Sequence, residues 1–188
     1  MKTNGEMNMR TMIYLTGLAA LALAGCQREG AGKVATGDPV PGGRTATAML
    51  RTAAGADAGR ATATEVGGGV RFTIDGRNMP AGTHGAHVHM VGRCDAPDFT
   101  TAGGHWNPGS TQHGTMNPQG PHGGDLPNLI VGSDGRGTLG VTVPGAMMDG
   151  VLDADGSAMI VHANPDDLKT DPSGNSGGRI VCGVFRQN

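Results

Sequence analysis

Aromatic residues are scarce in this chain, at 3% of 188 residues, whereas glycine occurs 35 times. Glycine is unfavourable in helix interiors, so this composition argues against a bundle of helices and suits short strands joined by many turns. Basic residues are not in excess either: 14 Lys and Arg stand against 16 Asp and Glu, a formal net charge of −2. The chain therefore lacks the basic surface of a nucleic-acid-binding protein, and we predict no nucleic-acid partner.

Long hydrophobic runs are also few. The apolar run at residues 14–24 is too short to cross a bilayer comfortably, and it follows the basic side chains of Lys2 and Arg10. This arrangement is typical of a signal peptide, so residues 1–25 are predicted to direct export. Residues 26–44 hold many Gly and Pro and little apolar sequence, which predicts a flexible tether in front of a domain at residues 45–188.

The predicted signal peptide is followed by a cysteine, in the sequence Leu-Ala-Gly-Cys that ends at Cys26. This sequence resembles a bacterial lipobox, and the resemblance implies that Cys26 is lipidated and becomes the new N-terminus. More than one acyl chain gives stable anchoring, and Gln27 after the cysteine resembles known sorting signals in a way that favours the outer membrane. We therefore expect an exported, periplasmic protein anchored to the membrane. The alternative is an ordinary secretory cleavage site followed by an unrelated cysteine.

Alternating apolar residues indicate strands in the rest of the chain. Residues 46–50 and 70–75 alternate with a period of two. Further short strands are predicted at 129–131, 138–143 and 159–161, and tight turns at the Asp-Gly pairs 75–76, 134–135, 149–150 and 155–156. No helix longer than two turns is indicated, so we predict an all-β antiparallel barrel or sandwich. Two long stretches, about 92–127 and 163–178, break this rhythm, and loops of that length are usually functional.

Histidine is the residue type that points to chemistry. Seven histidines occur, and six of them lie within residues 84–122. His87 and His89 are two residues apart, so on a strand their imidazoles face the same way. Asp125 follows three residues after His122, and His162 ends a predicted strand. Scattered surface histidines are the alternative interpretation, but this clustering predicts at least one metal site.

The ligand count suggests two metals. Four imidazoles suit Cu(II), and three imidazoles with one carboxylate suit tetrahedral zinc. Together such sites need eight ligand positions, whereas Asp125 and the histidines other than His84 provide seven groups. The count closes if one imidazole serves both metals through its two ring nitrogens. Cys94 and Cys182 are the remaining cysteines, and in an exported protein such a pair predicts one disulfide.

Several motifs in this order resemble the copper/zinc superoxide dismutases, over residues 45–185. They are GTHGAHVH (82–89), GGHWNP (103–108), QHG (112–114), PHGGD (121–125), IVHANPDD (160–167) and GNSGGRIVCGV (174–184). The resemblance implies a Greek-key β-barrel or sandwich that binds one copper and one zinc per chain. It implies copper on His87, His89, His105 and His162. It implies zinc on His105, His113, His122 and Asp125, with His105 as the bridge.

The resemblance also implies roles for residues that bind no metal. Asp166 would link the two metal sites through hydrogen bonds to their ligands, and His84 would support the site. Arg179 would stand beside the copper, and Cys94 and Cys182 would form the family disulfide. The predicted reaction is dismutation of superoxide to oxygen and hydrogen peroxide by one-electron cycling of copper, with structural zinc. Arg179 would attract the anion and His105 would carry a proton.

Two other functions remain open at this point. One is a non-enzymatic periplasmic protein that binds or delivers copper on the same fold. The other is an interaction domain with structural zinc alone, which would require a broken copper ligand set. The loop at 163–178 holds Asp166, Asp167 and Asp171 against a single Lys169, so it opposes attraction of an anion. The oligomeric state, homodimer or monomer, also stays open.

Overall fold

A computed structural model describes residues 37–188 of the protein. The predicted signal peptide, Cys26 and residues 26–36 of the predicted tether lie outside this range. The strands within it, in chain order, are Thr45–Thr52 (β1), Asp57–Val66 (β2), Gly69–Gly76 (β3), Gly82–His84 (β4), Ala86–His89 (β5), Leu129–Val131 (β6), Gly137–Pro144 (β7), Ala158–His162 (β8), Arg179–Val184 (β9) and Arg186–Gln187 (β10). The described helices are a single 3-10 turn at Thr100–Ala102 and a short helix, α1, at Met148–Val151.

One curled antiparallel sheet dominates the described domain. Its strand order is β5-β8-β9-β1-β2-β3-β7, with β10 also paired to β1, while β4 and β6 form a separate pair. Strand β1 lies between β2 and β9, which come from opposite ends of the domain, so long-range pairing joins the first and last strands of the domain within one sheet. The prediction of an all-β fold with antiparallel strands is confirmed.

The core is formed by the alternating positions that the sequence pattern indicated. In β3, Val70, Phe72 and Ile74 are buried, whereas the alternate residues Arg71 and Asp75 are exposed. Phe72 packs against Phe185 with ring centroids 6.0 Å apart. Each such side chain contributes about 1.5–3 kcal/mol through burial, and this core is the rigid support on which the long loops rest.

Two of the predicted turns differ from expectation, and residues 38–44 contact the domain that follows them. Residues 38–44 lie against the β2–β3 hairpin, where Val40 N–H donates to Glu65 O and the Arg44 guanidinium bonds the Glu65 carboxylate. Asp149-Gly150 lies inside α1, because burial of Met148 and Val151 outweighs the local turn preference. Asp75-Gly76 does not form a turn, because both residues belong to the end of β3 and pair with β2.

Within residues 37–188, no helix has the length and hydrophobicity needed to cross a membrane.

Candidate metal centre

Strand β5 carries two histidines and offers a free edge to the long loops. It is the terminal strand of the sheet, and its other edge pairs with β8. Along the free edge, Trp106 N–H donates to Val88 O at 2.8 Å, and Val88 N–H donates to Gly124 O at 2.9 Å. These bonds place His105 opposite His89 and Asp125 opposite His87. Two distant loop segments thereby reach the strand that holds His87 and His89.

His162 reaches the same point from β8. The register between β8 and β9 shifts between Val161 and His162, and such irregularities redirect a side chain at the end of a strand. The ring is then fixed from behind, since His162 Nδ1–H donates to Gly177 O at 3.1 Å. The structure therefore brings together four histidines that are far apart in the sequence.

The first group of ligand atoms consists of imidazole nitrogens alone. The candidate atoms of His87, His89, His105 and His162 all lie within 4.8 Å of one another. In each ring one buried nitrogen has no hydrogen-bond partner among the described residues: His87 Nδ1, His89 Nε2, His105 Nε2 and His162 Nε2. Unpaired buried polar atoms are costly and rare in proteins, and here they converge on one point. Four such imidazoles fit a copper ion.

The other nitrogens of the strand histidines orient the rings. His87 Nε2–H donates to Asp166 Oδ2 at 2.7 Å, and His89 Nδ1–H donates to Gly103 O at 2.9 Å. Such bonds fix the tautomer and direct the remaining lone pair to the metal. Burial lowers the pKa of His89 to about 2 and that of His162 to about 3. These two imidazoles are therefore neutral at physiological pH, as metal binding requires.

The second group surrounds the carboxylate of Asp125. Its Oδ1 atom lies 2.8 Å from His105 Nδ1, 3.0 Å from His113 Nδ1 and 3.2 Å from His122 Nδ1. Its Oδ2 atom accepts the backbone N–H groups of Gly114 and His122. Burial raises the pKa of Asp125, but these hydrogen bonds outweigh burial and hold the pKa below its usual range. Three imidazoles and one ionised carboxylate fit zinc.

His105 faces both groups. Its Nδ1 points to Asp125, whereas its Nε2 is one of the unpaired atoms of the first group. Burial lowers the pKa of His105 to about 4. His87 also lies near the second group, within 4.8 Å of His105, His113 and Asp125. We place His87 in the first group because its Nε2 is taken by Asp166 and its free Nδ1 belongs with the other unpaired atoms.

Asp166 and His84 hold the site without entering either group. Asp166 is buried, and its two carboxylate oxygens accept His87 Nε2–H at 2.7 Å and His113 Nε2–H at 3.0 Å, one ring from each group. Burial raises the pKa of Asp166, but the bonds from these histidines keep it lowered overall. Both ring nitrogens of His84 face backbone carbonyl oxygens, those of His162 and Pro80, so His84 directs no lone pair at a metal.

A cleft of about 400 Å³ leads to the first group, and Arg179 stands in its wall together with His89, His105 and His162. The guanidinium donates to Phe99 O and to Gly103 O, at 2.6 Å each. Gly103 O also accepts from His89, so the arginine and a ligand of the first group share one carbonyl. Sequence reasoning missed these carbonyl anchors, because backbone acceptors leave no mark in residue identity.

The predicted disulfide holds this cleft wall in place and is confirmed. Cys94 and Cys182 are bonded, with Cα atoms 5.8 Å apart. Cys182 lies in β9, three residues beyond Arg179, whereas Cys94 lies in the loop that supplies Phe99 O and Gly103 O. The disulfide therefore links the strand that carries Arg179 to the loop whose carbonyl oxygens Arg179 binds.

Two adjoining histidine groups that share one imidazole, carried on an antiparallel β-sheet, define a binuclear metalloprotein. The family model described as copper/zinc superoxide dismutase matches residues 58–185. The chain belongs to the copper/zinc superoxide dismutase family.

Individual relatives agree with this assignment. A Cu-Zn superoxide dismutase of Caulobacter vibrioides is 42% identical over 149 residues, which cover 76% of this chain and 86% of the relative. The crystal structure of a SOD-like protein from Bacillus subtilis matches with a TM-score of 0.70 and 41% identity, over 73% of this chain and 96% of the other. The Cu/Zn superoxide dismutase from Brucella abortus matches with a TM-score of 0.62 and 29% identity, over 76% and 99%.

Proposed function

We propose that this chain dismutates superoxide to oxygen and hydrogen peroxide with one copper and one zinc at the two groups described. The copper ligands are His87, His89, His105 and His162, and the zinc ligands are His105, His113, His122 and Asp125. The observation that carries this proposal is the convergence of four buried, unpaired imidazole nitrogens on one point beside the Asp125 group. Copper, when bound, supplies the one-electron exchange that zinc does not.

Arg179 binds the substrate anion in this proposal. A guanidinium stays charged at neutral pH and carries five N–H donors in a planar fork. Two N–H groups anchor it to Phe99 O and Gly103 O, which leaves the others for an anion in the cleft. Burial lowers the pKa of Arg179 while the Asp98 carboxylate opposes that shift, and the group remains a cation at neutral pH.

His105 supplies a proton at Nε2. This atom is buried and makes no hydrogen bond among the described residues, and its ring lines the cleft together with Arg179. The opposite nitrogen, Nδ1, stays at Asp125, so the ring keeps its orientation while Nε2 gains or loses a proton. Formation of peroxide consumes two protons for each pair of superoxide ions, and a positioned imidazole is a suited donor for this step.

A non-enzymatic copper-binding or delivery protein would need the same ligands but not Arg179. An arginine fixed at the mouth of the copper group, without contributing a ligand atom, favours turnover of an anion over storage of a metal. The test is metal analysis of the purified chain together with an assay of superoxide decay. One copper and one zinc per chain with rapid decay supports the enzyme. Copper without dismutation supports the binding protein.

We further propose that the protein is exported to the periplasm and anchored through a lipid on Cys26, with the outer membrane as its location. The support is the sequence alone: an apolar run followed by Leu-Ala-Gly-Cys, and Gln27 after the cysteine. Intact-mass measurement of the membrane fraction tests the lipid, since acylation adds the mass of the acyl chains at the new N-terminus. Light scattering of the purified protein distinguishes a monomer from a homodimer, the two states that the sequence leaves open.

A further inference from the structure

Among the proposed zinc-binding imidazoles, His105 and His113 have a defined environment for the second nitrogen, whereas His122 has no hydrogen-bond partner for it within residues 37–188. His105 turns its second nitrogen, Nε2, to the copper group. His113 donates Nε2–H to Asp166 Oδ1 at 3.0 Å. His122 places Nδ1 3.2 Å from Asp125, and its Nε2 makes no hydrogen bond within residues 37–188. Histidines that bind metals almost always donate this second N–H to a carboxylate, a carbonyl or water.

Asp171 approaches that atom from the other long loop. Its Oδ1 lies 3.8 Å from His122 Nε2, at ion-pair rather than hydrogen-bond distance, and its side chain is 49% exposed. The same oxygen accepts the backbone N–H of His113 at 2.7 Å. Asp171 therefore contacts the segments of two proposed zinc ligands at once. It occupies the place beside His122 that Asp166 occupies beside His113.

We propose that Asp171 is the positioning carboxylate of His122: it accepts Nε2–H of that ring and keeps the Nδ1 lone pair directed at the zinc site. The proposal rests on the zinc ligands assigned above. A cation at Nδ1 would withdraw charge from the ring and make Nε2–H a stronger donor to the Asp171 carboxylate. Asp171 thereby acts in metal binding, not in guidance of the substrate, although the sequence pattern grouped it with carboxylates that oppose the anion.

Asp167 provides a matched control four residues away. It is also an exposed carboxylate of this loop, but it accepts hydrogen bonds from the backbone N–H groups of Lys169 and Thr170 and from the Asn175 amide. These three partners belong to the same loop as Asp167. Asp167→Asn therefore removes the same charge from the same loop without touching the zinc-binding segment.

Asp171→Asn tests the contact with the His122 ring separately from the contact with the His113 backbone. The Asn side-chain oxygen still accepts His113 N–H, but the ionised acceptor beside His122 Nε2 is lost. We expect zinc to bind roughly tenfold more weakly, the lower end of the usual effect of removing such a partner. Asp171→Ala removes both contacts and should weaken zinc further, while Asp167→Asn should bind zinc as the wild type does.

The measurement is competition for zinc between the full-length, copper-loaded protein and a chromophoric chelator, for the wild type and the three variants. A second readout is the ¹⁵N-edited spectrum of the histidine side chains, in which His122 Nε2–H should exchange with water faster in Asp171→Asn. If the wild type itself holds no zinc, the proposed zinc site fails. If the wild type holds zinc and Asp171→Asn matches it, only the role of Asp171 fails. Equal weakening in Asp167→Asn would also overturn that role, because the effect would then belong to the loop.

Discussion

Replacing Arg179 with alanine is expected to slow dismutation about tenfold while copper and zinc contents stay unchanged. The guanidinium lines the cleft and is held by Phe99 O and Gly103 O, and it provides no ligand atom to either metal group. Two unit charges 4 Å apart interact by about 1 kcal/mol in water and about 4 kcal/mol at an effective dielectric constant of 20. The cleft is open to solvent, so the lower end applies, and about 1.4 kcal/mol of barrier corresponds to a tenfold rate change.

Charge reversal and removal of a neighbouring carboxylate should move the rate in opposite directions. Arg179→Glu should slow dismutation more than Arg179→Ala does, because repulsion of the anion is added to the lost attraction. Asp98 lies beside the anchor of the arginine: its Oδ1 accepts the N–H and hydroxyl of Thr100, next to the Phe99 carbonyl that Arg179 binds. Asp98→Asn should therefore speed capture of the anion at low salt, by about twofold, since the group is exposed and screened.

The assay is the second-order rate constant for superoxide decay, measured by pulse radiolysis from low to high ionic strength. Charged clefts steer ions, and copper/zinc superoxide dismutases are a known case. The Debye length falls from about 30 Å at 0.01 M to about 3 Å at 1 M, so the differences between variants should shrink as salt is added. Arg60→Ala is the control, because Arg60 is an exposed cation of β2 outside the cleft.

Three results would refute this reasoning. If Arg179→Glu carries full copper and zinc and dismutates as fast as the wild type at low salt, the guanidinium does not guide the substrate. If its loss of rate is matched by an equal loss of copper, the residue supports the metal site instead. A slower rate in Arg60→Ala of the same size would assign the effect to overall charge, which starts at a formal −2 for the chain.

Three further predictions concern metals, the disulfide and the anchor. His162→Ala should lose copper and activity while zinc stays bound, as measured by metal analysis; full activity would remove His162 from the copper group. Cys94→Ser should lower the free energy of unfolding by about 4 kcal/mol, because the disulfide closes a separation of 88 residues; a denaturation midpoint equal to that of the wild type would contradict this. Cys26→Ser should move the protein from the membrane fraction to the soluble fraction, and persistence in the membrane would contradict the lipid anchor.

Much of the sheet could be predicted because burial on one face leaves a period of two in the sequence. The alternation at residues 70–75 marks β3, and the predicted strand at 129–131 has the bounds of β6. Local turn chemistry was a weaker guide. Asp134-Gly135 does lie in the turn between β6 and β7, whereas Asp149-Gly150 is helical. The difference arises from Met148 and Val151, whose burial in the core is not visible in a two-residue motif.

The grouping of the histidines could be predicted in part because ligand chemistry restricts which residues combine. His87 and His89 reveal a shared face by their spacing alone. The partners that fix these rings could not be predicted by spacing, because they depend on which backbone atoms meet in space. Gly103 O holds both His89 and Arg179, and Gly177 O holds His162. A carbonyl is present at every residue, so the sequence does not distinguish these from the others.

The glycine content of the chain has a cause besides the turns that the composition suggested. At Gly124 the Cβ of a side chain would collide with Val88 O, so only glycine allows this segment to pair with the free edge of β5 and bring Asp125 opposite His87. At Gly174, where φ is +59°, a Cβ would lie 2.7 Å from His113 Nε2 and would collide with the Asp166 carboxylate. Both contacts involve groups that orient proposed metal ligands. At these positions the loops approach the metal centre closely because a glycine has no side chain to obstruct the contact. Part of the glycine excess therefore serves the metal centre and not the turns.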